Sequence, residues 1–360
     1  MNNRSRKTYA TLNLPALVDN YHQISCLSPN SKTIAVIKAN AYGHGSVEVA
    51  KYLSQHAPAL AVAFIDEAIE LRDAGITLPI LIMEGALSED DYQVALKHNF
   101  WLMLHTQEQI GWLNEVSPSY LGQLWLKVDT GMNRLGIKPD DVANIVASLT
   151  KEQLQNLVLC THFSSSDEVD NEKTAKQIQA FESVNKHYNY KKSLANSAAI
   201  INWPASHGDY NRLGIALYGA IDTSNTHSSI KLNPVMTLQS TVIGLRNLTI
   251  GETVGYGETW QAKRPTVIAT IAIGYADGYP RSAKNGTPVF INGQIAPIAG
   301  RVSMDMLTID VTDVEGVQQG DIVELWGENL SIETVAKHLN TITYELLTRV
   351  SNRVTRHYIK

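Results

Sequence analysis

Cysteine is nearly missing from this chain: Cys26 and Cys160 are the only two in 360 residues. Two thiols cannot build a disulfide framework or a four-thiolate zinc site, so each reads as a small apolar packing residue. Charge is thin as well, at 18% of residues. It is also balanced: 30 Lys plus Arg against 35 Asp plus Glu leave a net charge of −5, with no basic run. A nucleic-acid partner is therefore not expected. No apolar stretch approaches the ~18 residues of a spanning helix, which argues against a membrane partner. The start, MNNRSRKTYATLNL, has basic residues without the apolar segment of a secretory signal, so a cytoplasmic protein is expected. The 11 histidines form no HExxH or similar pair, and no metal centre is expected. Phenylalanine is scarce, 5 against 15 tyrosines. Phenols pack and also hydrogen-bond, which fits ordinary core and surface use or a polar, oxygen-rich site.

Against these shortages stand apolar residues at 44%, enough for a sizeable core. At roughly 150 residues per domain the length suits one barrel plus a smaller module, or two to three compact domains. Short apolar runs occur at TIAVIK (33–38), LAVAFI (60–65), PILIME (79–84), FWLML (100–104), QLWLKV (123–128), LVLCTH (157–162), KSLANS (192–197) and RLGIALYG (212–219). Between them lie helical periods such as 66–75, with Asp66 as N-cap and Gly75 past its end, and 174–188. Runs without strict alternation fit strands buried on both faces. Eight of them alternating with helices predict an α/β fold, a (β/α)8 TIM-type barrel over residues 1–231, with an open doubly wound sheet as the alternative. The first ten or so residues are expected to pack on the C-terminal domain.

After Lys231 the texture changes to short Val-, Ile- and Thr-rich runs at 236–246, 266–274, 287–291, 294–300, 306–311 and 321–327. Asn292-Gly293 between two of them is a two-residue hairpin signal. Residues 331–339 read as one helix with Ser331 as N-cap. Residues 232–360 are thus expected to form a mainly-β C-terminal domain.

In a barrel, catalytic groups stand at the C-terminal ends of the strands. Lys38 ends the first apolar run. A desolvated lysine loses its proton more easily and can form a Schiff base with a carbonyl or with pyridoxal phosphate, although a strand-end lysine reaching solvent fits the same position. Gly43 and Gly45 permit a tight turn, and Tyr42 supplies a phenol beside it. The N–H groups of RLGIALYG could cradle a phosphate. Arg134 suits a carboxylate, since its fork matches two oxygens.

AVIKANAYGHG (35–45) resembles the pyridoxal-phosphate signature of alanine racemases. LKVDTGMNRLGI (126–137), THFSSSDE (161–168), ANSAA (195–199), NRLGIALYG (211–219), VGYGETW (254–260), IGYADGYPR (273–281) and GRVSMD (300–305) resemble further blocks of that family, in the same order, and the likeness runs from about Tyr9 to the C-terminus. The resemblance implies a pyridoxal 5′-phosphate barrel followed by a β domain. It implies a homodimer whose active site is shared across the interface, and interconversion of L- and D-alanine that supplies D-alanine for peptidoglycan.

By the same resemblance Lys38 holds the cofactor. Tyr42, Ser197, Gly214 and Ile215 bind its phosphate, Arg212 faces its pyridine nitrogen, and His162 supports that arginine. Arg134 and the Met304 N–H hold the substrate carboxylate. Lys38 is the base for D-alanine. Tyr256, reaching over from the partner, is the base for L-alanine, while Tyr275 and Asp305 line the entrance. Lys127 stands where several members carry a carbamylated lysine that orients the arginine matching Arg134. The chain departs from the family at Asn352, where many members have an entrance tyrosine. A smaller polar residue there opens the alternative of a serine or broad-specificity racemase. Two other classes are weighed: pyridoxal-phosphate carriers without turnover lack the second domain and anything like Tyr256, and against a barrel decarboxylase the GYGETW and GRVSMD blocks look like those of racemases.

Overall fold

Strands buried on both faces need apolar side chains at every position, and the unalternating runs become such strands. In the computed structural model, which describes residues 6–116, 122–221 and 230–360, β1 (Tyr9–Asn13) precedes eight barrel strands. These are β2 (Lys32–Val36), β3 (Leu60–Val62), β4 (Ile80–Ile82), β5 (Trp101–Leu104), β6 (Leu124–Lys127), β7 (Val158–Cys160), β8 (Lys191–Ser193) and β9 (Tyr210–Leu213). They pair in parallel in the order β8-β7-β6-β5-β4-β3-β2-β9. The two ends of that sheet meet where Arg212 N–H donates to the Ala195 carbonyl at 2.9 Å, so the sheet is a barrel and not an open one.

Two local readings need correction. The run 212–219 is strand only to Leu213: Gly214 takes φ −106°, ψ −107°, and Ile215–Tyr218 coil into a 3-10 turn. Apolar composition alone cannot see that bend. The helix after β3 is Ile65–Asp73, and its N-cap is Phe64 in place of Asp66. Glu67 Oε2 folds back to accept from Ala63 N–H (2.7 Å) and Phe64 N–H (3.1 Å), so the helix begins earlier than Asp66 would allow. Gly75 does lie past the helix end, with φ +85°.

The second sheet runs β15-β14-β17-β10-β1-β18, with β10 (Met236–Leu248), β14 (Pro288–Ile291), β15 (Gln294–Pro297), β17 (Ile322–Trp326) and β18 (Thr355–Ile359). β11 (Thr253–Val254) and β12 (Trp260–Gln261) form a separate two-stranded ribbon, and β13 (Thr266–Ile271) pairs with β10 and with β16 (Leu307–Asp310). Asn292 (φ +47°) and Gly293 (φ +81°) join β14 to β15 as a tight hairpin turn, and Ser331 caps the helix Ile332–Leu339. β1 lies inside this sheet, antiparallel to β10 and parallel to β18. Thr8 Oγ1 donates to the Ala272 carbonyl at 2.7 Å, and Arg6 bonds the same carbonyl and Asp277; residues 1–5 lie outside the described set. Among the described residues no helix is long and apolar enough to cross a membrane.

Candidate active site

The C-terminal ends of the barrel strands open into a cavity of about 540 Å³. Lys38, Tyr42, Lys127, Arg134, His162, Ser197, Arg212, Gly214 and Ile215 all line it. The barrel brings these together from five strand ends spread over the first 215 residues.

Lys38 stands two residues past β2 and opens an unusual turn. Ala39, Asn40, Ala41 and Tyr42 follow it with φ of 52°, 55°, 50° and 52°, a left-handed stretch without glycine. An L-residue there costs roughly 1–2 kcal/mol, so surrounding bonds must hold the segment. Asn40 Oδ1 accepts from Ser46 N–H at 2.8 Å, tying the turn to the next helix. Buried His44 donates from Nδ1 to the Ala41 and Tyr42 carbonyls, each at 3.0 Å. Burial lowers the His44 pKa to about 4, which keeps the ring neutral and its Nδ1–H committed. The second domain also grips the turn: Arg356 Nε donates to the Gly43 carbonyl at 2.8 Å and Tyr358 Oη to the His44 carbonyl at 3.0 Å.

Opposite the lysine is a polar cradle. Ser197 Oγ accepts from Gly214 N–H at 2.9 Å and Ala216 N–H at 3.3 Å. A Cβ added at Gly214 would lie 3.0 Å from Tyr42 Oη and 3.7 Å from Ser197 Oγ, inside the space that the two hydroxyls share. The Tyr42 ring is fixed by stacking on Tyr218 at 4.8 Å between centroids, and burial raises its phenol well above the ordinary value.

Arg212 is buried in the barrel wall. Its Nη1 donates to the Ser193 carbonyl (2.9 Å) and hydroxyl (2.6 Å), and its Nη2 to the carbonyls of Thr161 (2.6 Å) and Leu194 (3.2 Å). Among the described residues Nε–H has no acceptor, and Arg212 lines the cavity. His162 Nδ1 lies 3.4 Å from Nη2. Burial, then the charges of Arg212, Lys127, Arg134 and Lys38, push the His162 pKa well down. Lys127 is buried at the end of β6, and desolvation lowers its pKa against the opposing pull of Cys160 and Glu84. Strand-end lysine, hydroxyl-and-amide cradle and cavity-lining arginine fit the parts of pyridoxal phosphate: a carbonyl carbon, a phosphate and a ring nitrogen.

The remaining candidates are elsewhere. Tyr256 (70% exposed), Tyr275, Met304, Asp305 and Asn352 lie on exposed loops of the second domain and do not line this cavity. Several of the segments that carry them are joined to one another. Tyr275 N–H donates to the Ser303 carbonyl and Ala276 N–H to the Met304 carbonyl, both at 3.0 Å. Arg353, next to Asn352, donates from Nη2 to Asp305 at 2.8 Å. The Arg301 guanidinium packs against Gly257, beside Tyr256.

Residues not anticipated also line the cavity. Glu84 ends the run 79–84 and Cys160 ends β7, and the strand-end rule that selected Lys38 applies to both. Burial raises the Cys160 thiol to about 11. Ile342, Tyr344 and Thr348, on or beside the helix Thr343–Arg349, reach over the mouth from the second domain. Tyr344 stands 5.9 Å from the Tyr42 ring, its phenol raised by burial to about 12.

Fold and cavity define an enzyme of the α/β-barrel class whose reactive end is backed by a second, β-rich domain. The family model "Alanine racemase, N-terminal domain" matches residues 12–222, and "Alanine racemase, C-terminal domain" matches residues 235–358. The chain belongs to the alanine racemase family, a family of isomerases. It is 46% identical over 352 residues to the alanine racemase of Alteromonas mediterranea, covering 98% of both chains. It is 42% identical to that of Vibrio atlanticus, covering 98% of this chain and 99% of the other. Among solved structures, the biosynthetic alanine racemase of Pseudomonas aeruginosa superposes with a TM-score of 0.94 at 40% identity, over 99% of this chain and 100% of that one. The alanine racemase of Bartonella henselae, solved with covalently bound pyridoxal phosphate, gives 0.90 at 31% identity, over 98% and 99%.

Proposed function

We propose that this protein is a cytoplasmic, pyridoxal-phosphate-dependent homodimer that interconverts L- and D-alanine, supplying D-alanine for peptidoglycan. Its barrel domain would end near residue 231. The observation that carries this reading is the cavity in which Lys38, the Tyr42–Ser197–Gly214 cradle and Arg212 stand together.

Bound there, the cofactor supplies a conjugated ring system that accepts the electron pair of the substrate Cα–H bond. The chain's own residues do the rest. Tyr42, Ser197 and the N–H groups of Gly214 and Ile215 hold the phosphate. Arg212, immobilised by four barrel-wall acceptors, would present a permanent positive charge to the ring nitrogen and so disfavour its protonation. Such a charge would restrain electron withdrawal into the ring and with it transamination. Neutral His162 accepts from Arg212 and adds no competing charge.

Arg134 and the Met304 N–H of the partner subunit orient the substrate carboxylate. Burial favours the neutral amine of Lys127, the form that takes up CO2 to give a carbamate and a proton, and the new anion would face Arg134. Racemisation needs a proton removed from one face and one returned to the other. Lys38 serves the face that takes the proton of D-alanine, and Tyr256 of the partner subunit serves that of L-alanine. The exposure of Tyr256 outside its own chain's cavity supports a shared site.

The test is to incubate the protein and pyridoxal phosphate with L-alanine, L-serine and L-lysine separately, then resolve products by chiral chromatography. D-alanine at far higher kcat/KM than the other products is expected. Comparable rates with serine would instead favour the broad-specificity alternative raised by Asn352. Release of CO2 without any D-product would overturn racemisation altogether.

A further inference from the structure

The left-handed turn after Lys38 is held from within by Asn40 and His44, and from the second domain by Arg356 and Tyr358. One further bond comes from a different βα unit. Glu67 lies in the first turn of the helix Ile65–Asp73 that follows β3. Its Oε2 accepts from Ala63 and Phe64 N–H, which is ordinary helix capping. Its Oε1 accepts from Ala39 N–H at 2.6 Å. That second bond contributes nothing to its own helix. It joins the peptide adjoining Lys38 to the neighbouring loop.

We propose that Glu67 is a positioning residue for Lys38: its carboxylate bridges two βα loops and fixes, through the Ala39 amide, the direction in which the lysine enters the cavity. The inference rests on the cofactor role of Lys38 given above. The geometry explains why a carboxylate is used. Three N–H donors converge from two loops, and only an acceptor-only group with two oxygens satisfies them all. A charged acceptor also binds each donor more strongly than a neutral one does. Ala39 adopts φ +52° without being glycine. Once the bond is lost, its backbone relaxes toward the ordinary right-handed region and carries the Lys38 side chain with it.

Glu67→Gln keeps the shape but supplies one acceptor oxygen, and turns an NH2 group toward N–H donors. Holoenzyme of each form is challenged with hydroxylamine, and loss of the bound cofactor's visible absorbance is followed. Glu67→Gln is expected to release cofactor about tenfold faster, with kcat down by about tenfold and KM for alanine little changed, as for a misplaced reacting group. Asp66→Asn removes a charge from the same helix turn without touching Ala39, and should release cofactor at the wild-type rate. Adding Ala39→Gly to Glu67→Gln should recover much of the retention, because glycine adopts positive φ without strain.

Borohydride reduction with peptide mass analysis keeps the two readings apart. If wild-type protein carries no cofactor adduct on Lys38, the cofactor role fails. An adduct on wild-type Lys38 with equal release rates for wild type and Glu67→Gln would overturn the positioning role. So would equal acceleration by Asp66→Asn, because loss of negative charge at that helix start would then account for the effect. A Glu67→Gln protein too unstable to load with cofactor, unrelieved by Ala39→Gly, would likewise assign Glu67 to folding and reject the proposal.

Discussion

Nη2 of Arg212 lies 3.4 Å from Nδ1 of His162, a guanidinium facing an imidazole that burial and neighbouring cations keep neutral. Only the neutral ring can accept there. His162→Gln preserves an acceptor, whereas His162→Leu leaves Nη2 only the Thr161 and Leu194 carbonyls. The Leu variant should bind pyridoxal phosphate about tenfold more weakly, and the Gln variant within a few fold of wild type. Equilibrium dialysis measures both, and equal affinities would remove His162 from any support of Arg212.

Acid should destabilise the fold through His44. Its pKa falls from 6.5 unfolded to about 4 folded because burial disfavours the charge. The unfolded chain therefore binds more protons between those values, and stability drops as pH falls below 6.5. The loss from this residue approaches about 3 kcal/mol near the folded pKa. Denaturant unfolding of wild type and His44→Asn over that window should show a shallower acid loss in the variant, from a lower starting stability.

Gly43 has no room for a side chain. Its φ is +83°, and a Cβ would stand 2.2 Å from the Leu347 carbonyl, where the helix Thr343–Arg349 packs on the Lys38 turn. Gly43→Ala must shift backbone against backbone, so a stability loss of about 3 kcal/mol or more is expected, as for other combined strain and overpacking. Cofactor should be lost at lower urea than global unfolding, because the displaced element carries Lys38. Calorimetry and cofactor absorbance on one sample test both.

A shared site has an arithmetic signature. Lys38→Ala and Tyr256→Phe should each be nearly inactive alone. Unfolded together and refolded as a mixture, about half the dimers carry one of each chain, and one of their two sites has both native residues. Activity should then return to about one quarter of wild type. A mixture no more active than its components would place both residues in one chain's site. In heavy water, Tyr256→Phe should also lose α-proton exchange from L-alanine and keep it from D-alanine, as read by NMR.

The barrel was legible because parallel strands buried on both faces must be written as apolar runs, and β2 to β7 fall inside theirs to within a residue. Residues 212–219 overran because an apolar 3-10 turn and an apolar strand share a composition, and only the dihedral angles of Gly214 separate them. Lys38, Lys127 and His162 could be picked out at strand ends by position. Glu67 could not. Its reach to Ala39 crosses between loops 28 residues apart, and in sequence it looks like any helix-start acid. Tyr344 was invisible for a related reason: it arrives over the mouth by the docking of a second-domain helix, which no local pattern encodes.

β1 occupies an interior position of the second sheet, between β10 and β18. In terms of chain topology the barrel is therefore an insertion. More than two hundred residues are looped out between the first strand of the β domain and the rest of it. A fragment beginning near residue 232 would lack an interior strand and expose two new sheet edges. During synthesis β1 must wait for β18, about 340 residues later, to emerge before its parallel partner exists. Separate expression of the two halves should thus give an aggregation-prone β fragment, rescued by supplying the β1 segment in trans.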